Sequence, residues 1–343
     1  MAETETKGFR VAVLDDYEGL ASKVPAYGEL KKRANVEILT RRLATDEELG
    51  ATLKDVDAIL LVRERTYFKE RELALASALK FISQMGQTTA HLDLSTATRR
   101  GIRISGTPGD SGVSTIELTF GLIFALMRHI PQVNRGMHEG IWPGIPGSNI
   151  EGKTLGVFGL GRIGKEVTRL GQAFRMKVLA AGKTLTDERA RQAGAVKVSL
   201  EDLFKESDVV SIHVKLNQET RGMIGERELS LMKPGAVLIN TGRGPIVSEA
   251  ALIGALEKGQ LAGAGLDVFD QEPLPSDHPL RRFDNVVLLS HRGYATVEIL
   301  QQRYELAMRN IMAFMDGKPL KLLNPEVIES DEPSPGGEGT VGS

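Results

Sequence analysis

The segment "TLGVFGLGRIGKEV", residues 154 to 167, decides how this chain folds. Thr154–Phe158 is an apolar run typical of a buried strand, and Gly159, Gly161 and Gly164 follow it at the start of a helical pattern. A first glycine here allows a tight turn, a second lets a pyrophosphate approach the backbone, and a third allows the helix to pack closely on the strand. Amides at the helix N-terminus, together with the helix dipole, favour phosphate. The segment therefore predicts a dinucleotide-binding turn.

Similar short apolar runs alternate with amphipathic segments along most of the chain. Buried strands are predicted for residues 10–15, 36–39, 57–62 and 80–84 before the turn, and for residues 208–214, 235–240, 263–269 and 285–290 after it. Helices are predicted for residues 46–54, 114–130 and 296–317. Continuous apolar strands with helices between them indicate a parallel sheet covered on both faces. Because the pattern starts again at the glycine-rich turn, we expect two α/β domains.

The composition is that of a globular protein of about two domains. Of its 343 residues, 41% are hydrophobic and 26% charged, and the net charge of −2 favours neither nucleic acid nor a membrane surface as a partner. No apolar run approaches the roughly 20 residues that span a bilayer. The chain has no cysteine and its six histidines are scattered, so we expect no metal site. Since the N-terminus is polar and acidic, unlike a signal peptide, we expect a cytoplasmic protein.

Three further segments occur in order after the glycine-rich turn: "LINTGRGPIV" (238–247), "GAGLDVFDQEPLP" (263–275) and "VVLLSHRGYAT" (286–296). Together with the turn they resemble the D-isomer-specific 2-hydroxyacid dehydrogenases. That family includes D-lactate, glycerate and 3-phosphoglycerate dehydrogenases and the glyoxylate/hydroxypyruvate reductases. The resemblance runs from residue 80 to residue 326.

The resemblance implies an α/β fold with two doubly wound parallel-sheet domains. A Rossmann NAD(P)-binding domain is expected at residues 108–299, and a flavodoxin-like substrate domain at residues 1–107 together with 300–330. Residues 331–343 show no periodic pattern of apolar residues and are expected to be disordered. The resemblance also implies a homodimer joined through the nucleotide-binding domains, and catalysis in the cleft between the two domains of one chain.

Three catalytic residues are implied by the same resemblance. Arg243 matches the residue that holds the substrate carboxylate, His291 the general acid/base, and Glu272 the carboxylate that supports it. A planar guanidinium binds a carboxylate through two hydrogen bonds. An imidazolium donates the proton that the C2 oxygen of a 2-keto acid needs, and a neighbouring carboxylate stabilises it. The structural alternatives are a surface-turn arginine, a histidine capping a strand, and a loop carboxylate without a partner.

The resemblance extends to residues that would contact the cofactor. Asp267 matches a position that contacts the nicotinamide carboxamide, and His213 matches a position near the cofactor but is equally compatible with a structural role. The cofactor-binding residues that we expect are Gly159, Gly161, Arg162, Ile163, Gly164, Gly182, Lys183, Thr184, His213, Thr241 and Asp267.

Substrate contacts are expected from the other domain. The main chain at Met85, Gly86 and Gln87 matches the loop that binds the substrate carboxylate in the family. Arg63 and Arg65 follow a predicted strand and either lie on a solvated loop or face the cleft. If they face the cleft, the substrate carries a second negative group such as a phosphate, so Arg63 is included among the substrate-binding residues.

Residues 178–186, "VLAAGKTLT", lack the acid that a dinucleotide-binding fold usually carries about twenty residues after its glycine-rich turn. Such an acid binds the ribose hydroxyls of NAD and repels the 2′-phosphate of NADP. Gly182 removes this repulsion, and Lys183 and Thr184 offer an ammonium and a hydroxyl to a phosphate. We therefore expect NAD or NADP as the cofactor, with NADP favoured.

Two nearby acids offer an alternative interpretation. Asp187 or Glu188 could serve the ribose in place of the missing acid. We favour a different role, in which both stabilise a helix N-terminus that Thr186 caps.

The resemblance, together with the glycine-rich turn, implies an NAD(P)-dependent oxidoreductase that interconverts a 2-keto acid and a D-2-hydroxy acid. The leading substrates are 3-phosphoglycerate and glyoxylate or hydroxypyruvate. The alternative is a dinucleotide-sensing interaction protein with little turnover, since the family also includes transcriptional corepressors that keep the three catalytic residues. Steady turnover by the purified protein distinguishes the two.

Overall fold

The computed structural model describes residues 8–43, 45–109, 112–318 and 320–329. Residues 331–343, for which the sequence predicts disorder, lie outside this range. The chain divides into two compact units, one formed by Met1–Asp110 with Thr296–Ser343 and the other by Ser111–Ala295. Each unit is built on one parallel sheet.

Twelve strands form the two sheets of the described residues. They are β1 (Arg10–Val13), β2 (Asn35–Ile38), β3 (Ala58–Leu61), β4 (Phe81–Gln84), β5 (Arg103–Gly106), β6 (Thr154–Phe158), β7 (Lys177–Ala181), β8 (Val196–Lys197), β9 (Val209–Ile212), β10 (Val237–Asn240), β11 (Gly263–Leu266) and β12 (Val286–Leu288). The α-helices are α1 (Pro25–Lys31), α2 (Asp46–Leu53), α3 (Glu70–Leu75), α4 (Leu94–Arg99), α5 (Val113–Met127), α6 (Ile130–His138), α7 (Arg162–Ala173), α8 (Asp187–Gln192), α9 (Leu200–Glu206), α10 (Glu226–Leu231), α11 (Glu249–Glu257), α12 (Val297–Met315) and α13 (Glu326–Glu329).

The sequence marks the start of six helices with a Ser, Thr or Asp side chain. In each case the side-chain oxygen accepts a hydrogen bond from a backbone amide of the first turn, which satisfies one of the amides left without a helical partner. The capping residues are Thr45, Asp93, Thr186, Ser199, Ser248 and Thr296.

The first unit has the strand order β2-β1-β3-β4-β5, with every pair parallel. This is the flavodoxin-like order. The long helix α12 packs against β4, where the Ser83 hydroxyl donates to the carbonyl of Ala307 at 2.9 Å. The rings of Phe81 and Phe314 stack with their centroids 4.6 Å apart. The end of the chain thus completes the core of the unit that the beginning of the chain forms.

The second unit has the strand order β12-β11-β10-β9-β6-β7-β8, again with every pair parallel. If β6 is counted as the first strand of this unit, the order is that of a Rossmann fold with one further strand. The chain order reverses between β6 and β9, and ligands of such sheets bind outside the carboxyl ends of the strands at this point. The glycine-rich turn follows β6 there.

The predicted fold class is confirmed, and all nine predicted strands are present. Seven of them are shorter than predicted, β6 has the predicted bounds, and β2 is shifted by one residue. The helix predicted for residues 114–130 is interrupted. It ends at Met127, His129 has a positive φ of 51°, and a second helix begins at Ile130. Strands β5, β7 and β8 were not predicted.

Helix α5 is apolar because it lies in the core of the second unit, where Leu122 and Ile123 are buried. Within the described part of the chain, no single helix is long and apolar enough to cross a bilayer. Helices α5 and α6 pass that test only as a pair, by length and composition, across a bend of 65°.

Candidate active site

The turn after β6 has the shape that a pyrophosphate requires. Gly159 has a φ of +103°, and a Cβ atom on it would lie 2.7 Å from the carbonyl carbon of His213. A Cβ atom on Gly164 would overlap the carbonyl oxygen of Gly159. At Gly161, by contrast, a Cβ atom would meet nothing within 4 Å, and α7 begins at the next residue without a side-chain cap. Close packing on one side and open space at the helix N-terminus fit a bound dinucleotide.

The position of the missing acid lies directly after β7. Gly182 follows the last residue of the strand, and the Lys183 ammonium lies 2.6 Å from Oε1 of Glu219. The side chains of Lys183 and Glu219 are both exposed, at 76% and 60%. The backbone carbonyl of Thr184 accepts a hydrogen bond from the Arg189 guanidinium at 2.8 Å.

Glu219 is a residue that the sequence analysis missed. It lies 36 positions from Lys183, in the loop between β9 and α10. The side-chain oxygen of Asn217 accepts from the backbone amides of Glu219 and Thr220, at 2.9 and 3.0 Å, which holds the loop in a turn. An acid therefore stands beside the Gly182–Lys183 corner although none is adjacent in sequence.

The helix that the preferred interpretation of the two nearby acids predicts is present. Thr186 Oγ1 accepts from the backbone amide of Arg189 at 3.2 Å, and α8 begins at Asp187. Glu188 forms an ion pair with Arg191 along the same helix. Both acids belong to the first turn of α8, where negative charge is favoured by the helix dipole.

His291 and Glu272 form a hydrogen-bonded pair. Nδ1 of His291 lies 2.7 Å from Oε2 of Glu272, and the other oxygen of Glu272 accepts from the backbone amide of Phe269 at 3.0 Å. The side chains are 20% and 33% exposed. Because both oxygens of Glu272 are held, the imidazole orientation is fixed and Nε2 is the ring nitrogen that points away from the carboxylate.

The turn that carries His291 depends on Asp267. His291 has a positive φ of 56°, and its backbone amide donates to the carbonyl of Asp267 at 2.8 Å. The Asp267 carboxylate accepts from the amides of Arg292 and Gly293, at 2.6 and 2.7 Å. Burial raises the pKa of Asp267 above its ordinary value, while these two hydrogen bonds act in the opposite direction. Asp267 therefore shapes the histidine turn, a role that the sequence analysis did not assign.

Arg243 follows β10 and lies in a turn held by Asn240. The Asn240 side chain donates to the carbonyl of Arg243 at 3.1 Å and accepts from the amide of Gly242 at 3.0 Å. The Arg243 guanidinium donates to the carbonyl of Gly242 at 2.8 Å. The buried hydroxyl of Thr241 lies 3.2 Å from that of Thr119.

His213 follows β9, and its Nε2 lies 2.8 Å from the hydroxyl of Ser211. Burial lowers the pKa of His213 to about 4, so the ring is neutral near pH 7. His213, Arg243 and Asp267 thus follow the carboxyl ends of three neighbouring strands of one sheet, β9, β10 and β11.

In the first unit, the expected substrate loop follows β4. Met85 is buried, and its amide donates to the carbonyl of Leu61 at 2.9 Å. Gly86 has a φ of +92°, and its amide donates to the hydroxyl of Thr107 at 2.8 Å. The side-chain amide of Gln87 donates to the carbonyl of Thr107 at 3.2 Å. Thr107 therefore fixes the loop from two sides.

The two arginines after β3 are not on a solvated loop, since the side chains of Arg63 and Arg65 are only 16% and 10% exposed. Arg65 donates two hydrogen bonds to the Glu18 carboxylate, at 2.9 and 2.7 Å, and lies over the ring of Tyr17. Nε of Arg63 lies 3.3 Å from Oε2 of Glu64. Arg65 is thus held in a structural ion pair.

No group of three or more His, Asp or Glu side chains that could hold a metal ion occurs among the residues that the structure describes.

Comparison with known proteins agrees with this geometry. The family model of the D-isomer specific 2-hydroxyacid dehydrogenase NAD binding domain matches residues 120–293. The glyoxylate reductase of Aeropyrum pernix is 41% identical over 271 residues, which cover 76% of this chain and 81% of that protein. The D-3-phosphoglycerate dehydrogenase of Archaeoglobus fulgidus is 36% identical over 305 residues, which cover 88% of this chain and 57% of that protein.

Among solved structures, the phosphoglycerate oxidoreductase of Vibrio cholerae o395 superposes with a TM-score of 0.85 at 31% identity, covering 90% of this chain and 99% of that one. The fold, the glycine-rich turn and these matches define an NAD-dependent oxidoreductase that acts on CH–OH donors. The chain belongs to the family of D-isomer-specific 2-hydroxyacid dehydrogenases.

Proposed function

We propose that the protein interconverts a 2-keto acid and a D-2-hydroxy acid, with His291 as the general acid/base. The observation that carries the proposal is the hydrogen bond of 2.7 Å between Glu272 and Nδ1 of His291. In reduction, bound NADH supplies the hydride that C2 receives. His291 donates a proton from Nε2 to the C2 oxygen, and Glu272 stabilises the imidazolium before the transfer. In oxidation the same nitrogen accepts the proton.

Arg243 is proposed to bind the substrate carboxylate. In the first unit, the substrate contact proposed for the loop of Met85, Gly86 and Gln87 falls on the main chain at Gln87, because the amides of Met85 and Gly86 already donate to Leu61 and Thr107. A guanidinium offers two parallel hydrogen bonds to a carboxylate, which fixes the orientation of the keto group. We propose glyoxylate or hydroxypyruvate and 3-phosphoglycerate as the leading substrates. The names of the relatives from Aeropyrum pernix and Archaeoglobus fulgidus support these two classes.

The cofactor is proposed to lie along the carboxyl ends of β6, β7 and β9 to β11. The N-terminus of α7, with Arg162 and Ile163 next to the three glycines, holds the pyrophosphate. Asp267 contacts the nicotinamide carboxamide, and Thr241 and His213 line the same edge of the sheet.

We further propose that the protein accepts NADP as well as NAD. Gly182 provides no acid to repel a 2′-phosphate, and Lys183 and Thr184 follow it. The Lys183 ammonium lies 2.6 Å from the Glu219 carboxylate, so a 2′-phosphate competes with Glu219 for the lysine. Lys183 is exposed, which weakens any single contact that it makes. NADP preference is therefore moderate rather than absolute.

A homodimer is proposed on the basis of an exposed apolar surface in the second unit. Ile141 and Trp142 are 57% and 85% exposed, and Met137 and Ile145 nearby are 49% and 44% exposed. These four exposed apolar side chains lie within nine consecutive residues, and clustered apolar side chains on a protein surface commonly mark a protein–protein interface. Light scattering during size-exclusion chromatography tests this proposal, and a monomer at micromolar concentration would refute it.

The decisive experiment is a screen of 2-keto acids that follows the absorbance of NADH and NADPH. We expect steady turnover with at least one keto acid and formation of the D-hydroxy acid. Binding of the dinucleotide without turnover of any member of the panel would instead support an interaction protein of the corepressor type.

A further inference from the structure

Two turns of the second unit that carry proposed catalytic residues are hydrogen-bonded to the same face of helix α5. One is the histidine turn, residues 291–293, and the other is the arginine turn, residues 240–243. The helix residues that make these bonds, Thr115 and Thr119, are four positions apart, which places them one above the other on the helix surface. A single stripe of α5 thus reaches both turns.

The histidine turn is held through one glycine. The amide of Gly293 donates to the Asp267 carboxylate at 2.7 Å, and its carbonyl accepts from the Thr115 hydroxyl at 2.7 Å. A Cβ atom on Gly293 would lie 3.0 Å from Oδ2 of Asp267 and 3.3 Å from Oγ1 of Thr115, so the missing side chain lets both partners approach. The turn that carries His291 is therefore fixed to the end of β11 on one side and to α5 on the other.

The arginine turn is also held from two sides. The Thr241 hydroxyl lies 3.2 Å from the Thr119 hydroxyl, and Thr119 also donates to the carbonyl of Thr115 at 2.8 Å. Because a hydroxyl has only one proton, Thr119 has none left for Thr241 and accepts the proton of Thr241 instead. The turn is anchored to α5 at Thr241, two residues before Arg243, while the Asn240 side chain closes it from the end of β10.

The hydroxyls of Thr115 and Thr119 do more than satisfy the helix that carries them. A threonine within a helix commonly donates to the carbonyl of the preceding turn, and Thr119 makes that bond. Its contact with Thr241 and the bond from Thr115 to Gly293 instead leave the helix and end on the two turns. Thr119 is fully buried, where valine would fill the same space without a hydroxyl to satisfy. The bonds that leave α5 therefore indicate a role in fixing the turns.

We propose that Thr115 and Thr119 are positioning residues that set the separation between His291 and Arg243. A 2-keto acid carries its carboxylate and its keto oxygen on adjacent carbons, so the two residues that bind these groups must keep a fixed distance. A displacement of about 1 Å in such an arrangement can lower the rate by about 10²-fold. The proposal rests on the proposed function, because it takes His291 as the acid/base and Arg243 as the partner of the carboxylate.

Thr115→Val tests the link to the histidine turn, since valine keeps the shape of threonine and removes the hydroxyl. We expect kcat to fall by about two- to tenfold, the effect of a lost neutral hydrogen bond, with little change in KM for the keto acid. Thr115→Ser keeps the hydroxyl and should recover most of kcat. The matched control is Thr168→Val, which should keep the kcat of the parent. Thr168 is a buried threonine of α7, and its hydroxyl has no hydrogen-bond partner in the part of the chain that the structure describes.

Combination with His291→Ala separates positioning from a general loss of structure. If Thr115 acts through His291, Thr115→Val should lower the residual kcat of His291→Ala no further, because the residue that it positions is absent. The proposal would be overturned by the same fold loss in both backgrounds, by equal kcat in Thr115→Ser and Thr115→Val, or by an equal loss in Thr168→Val.

Thr119→Val tests the link to the arginine turn. We expect KM for the keto acid to rise by about two- to tenfold with a smaller effect on kcat, because Arg243 binds the carboxylate before the reaction as well as during it. An unchanged KM in Thr119→Val would overturn the role proposed for Thr119.

If the protein turns over no keto acid, or if His291→Ala keeps normal kcat, the proposed function fails by itself, and hydrogen exchange then tests the positioning. Exchange of the backbone amides of residues 291–293, followed by mass spectrometry, should be faster in Thr115→Val than in the parent and unchanged in Thr168→Val. Equal exchange in Thr115→Val and the parent would overturn the proposal.

Discussion

Nδ1 of His291 lies 2.7 Å from Oε2 of Glu272, while the other oxygen of the same carboxylate accepts from the backbone amide of Phe269. A carboxylate held at both oxygens cannot rotate away from the ring. The imidazole is therefore held in one orientation, and the protonated ring has a counter-charge in contact. A second pair of the same kind, His278 with Glu249 at 2.9 Å, lies outside the proposed site and provides a matched control.

Replacement of His291 tests the acid/base assignment. His291→Ala should lower kcat by roughly 10²- to 10⁴-fold, because a positioned general acid contributes this much. Cofactor affinity, measured by quenching of intrinsic fluorescence or by calorimetry, should change little. His278→Ala serves as the control and should keep kcat near that of the parent. Near-normal turnover in His291→Ala would remove this residue from the mechanism.

Glu272→Gln tests the role of the carboxylate charge. Glutamine keeps the length and hydrogen-bonding groups of glutamate but provides no counter-charge to the imidazolium. We expect kcat to fall by about tenfold or more, since a hydrogen bond made with the charged ring contributes about 1.5 to 3 kcal/mol and each 1.4 kcal/mol corresponds to about tenfold in rate. Glu249→Gln, in the control pair, should have no such effect. Equal kcat in Glu272→Gln and the parent would show that the charge is not used.

Most of the fold could be predicted from the sequence, and there are physical reasons why three strands were not predicted. β8 consists of Val196 and Lys197, both exposed, and a strand of two residues has no periodicity to detect. β5 contains only one large apolar residue, Ile104, and β7 carries Ala180 and Ala181, which suit a helix as well as a strand. The strongly apolar strands were recognised because a parallel sheet buries both of their faces.

Some of the site residues could be predicted from sequence motifs, and others are recognised only in the structure. His291 and Glu272 lie in recognisable motifs, whereas Glu219 reaches Lys183 through a loop fold that no local pattern specifies.

The charge at position 182 is expected to decide whether the protein uses NADPH or NADH better. Gly182→Asp should impair kcat/KM with NADPH and spare or improve it with NADH, because an aspartate near a 2′-phosphate costs on the order of a few kcal/mol at a partly screened site. Lys183→Ala should also weaken NADPH use, but less, since an exposed lysine is screened by water and salt. A parent that strongly prefers NADH, with an unchanged ratio in both variants, would contradict the assignment.

Substitution of Glu219 is expected to change the cofactor preference in the opposite direction, towards NADPH. Glu219→Gln frees the Lys183 ammonium from its partner at 2.6 Å and removes a negative charge from the corner. The ratio of kcat/KM for NADPH over NADH should therefore rise by about two- to fivefold, the effect expected of an exposed ion pair. Glu201→Gln is the control, since Glu201 is an exposed acid paired with Lys205 on α9. A ratio that stays the same in Glu219→Gln would separate Glu219 from cofactor selection.

The buried His91 of the first unit makes stability depend on pH. His91 is 1% exposed, and burial lowers its pKa from 6.5 to about 4. Between these two pKa values the unfolded chain binds a proton at His91 and the folded chain does not. The contribution of His91 to the free energy of unfolding is therefore most favourable above about pH 6.5 and is lost as the pH falls towards 4. Between the two pKa values, the free energy of unfolding falls by about 1.4 kcal/mol for each unit by which the pH decreases.

Urea unfolding at pH 7, 6 and 5 measures this slope, with His91→Gln as the variant and His138→Gln, at an exposed position of α6, as the control. Glutamine can still donate to Oε1 of Gln84, the partner of His91 Nε2 at 3.1 Å, but it does not titrate. The free energy of unfolding of His91→Gln should be lower than that of the parent at pH 7 and should decline less steeply as the pH falls. His213 keeps its own contribution in both proteins, so only the difference between them reports on His91. Parallel curves for the parent and His91→Gln would show that His91 binds its proton equally in the folded and unfolded chains.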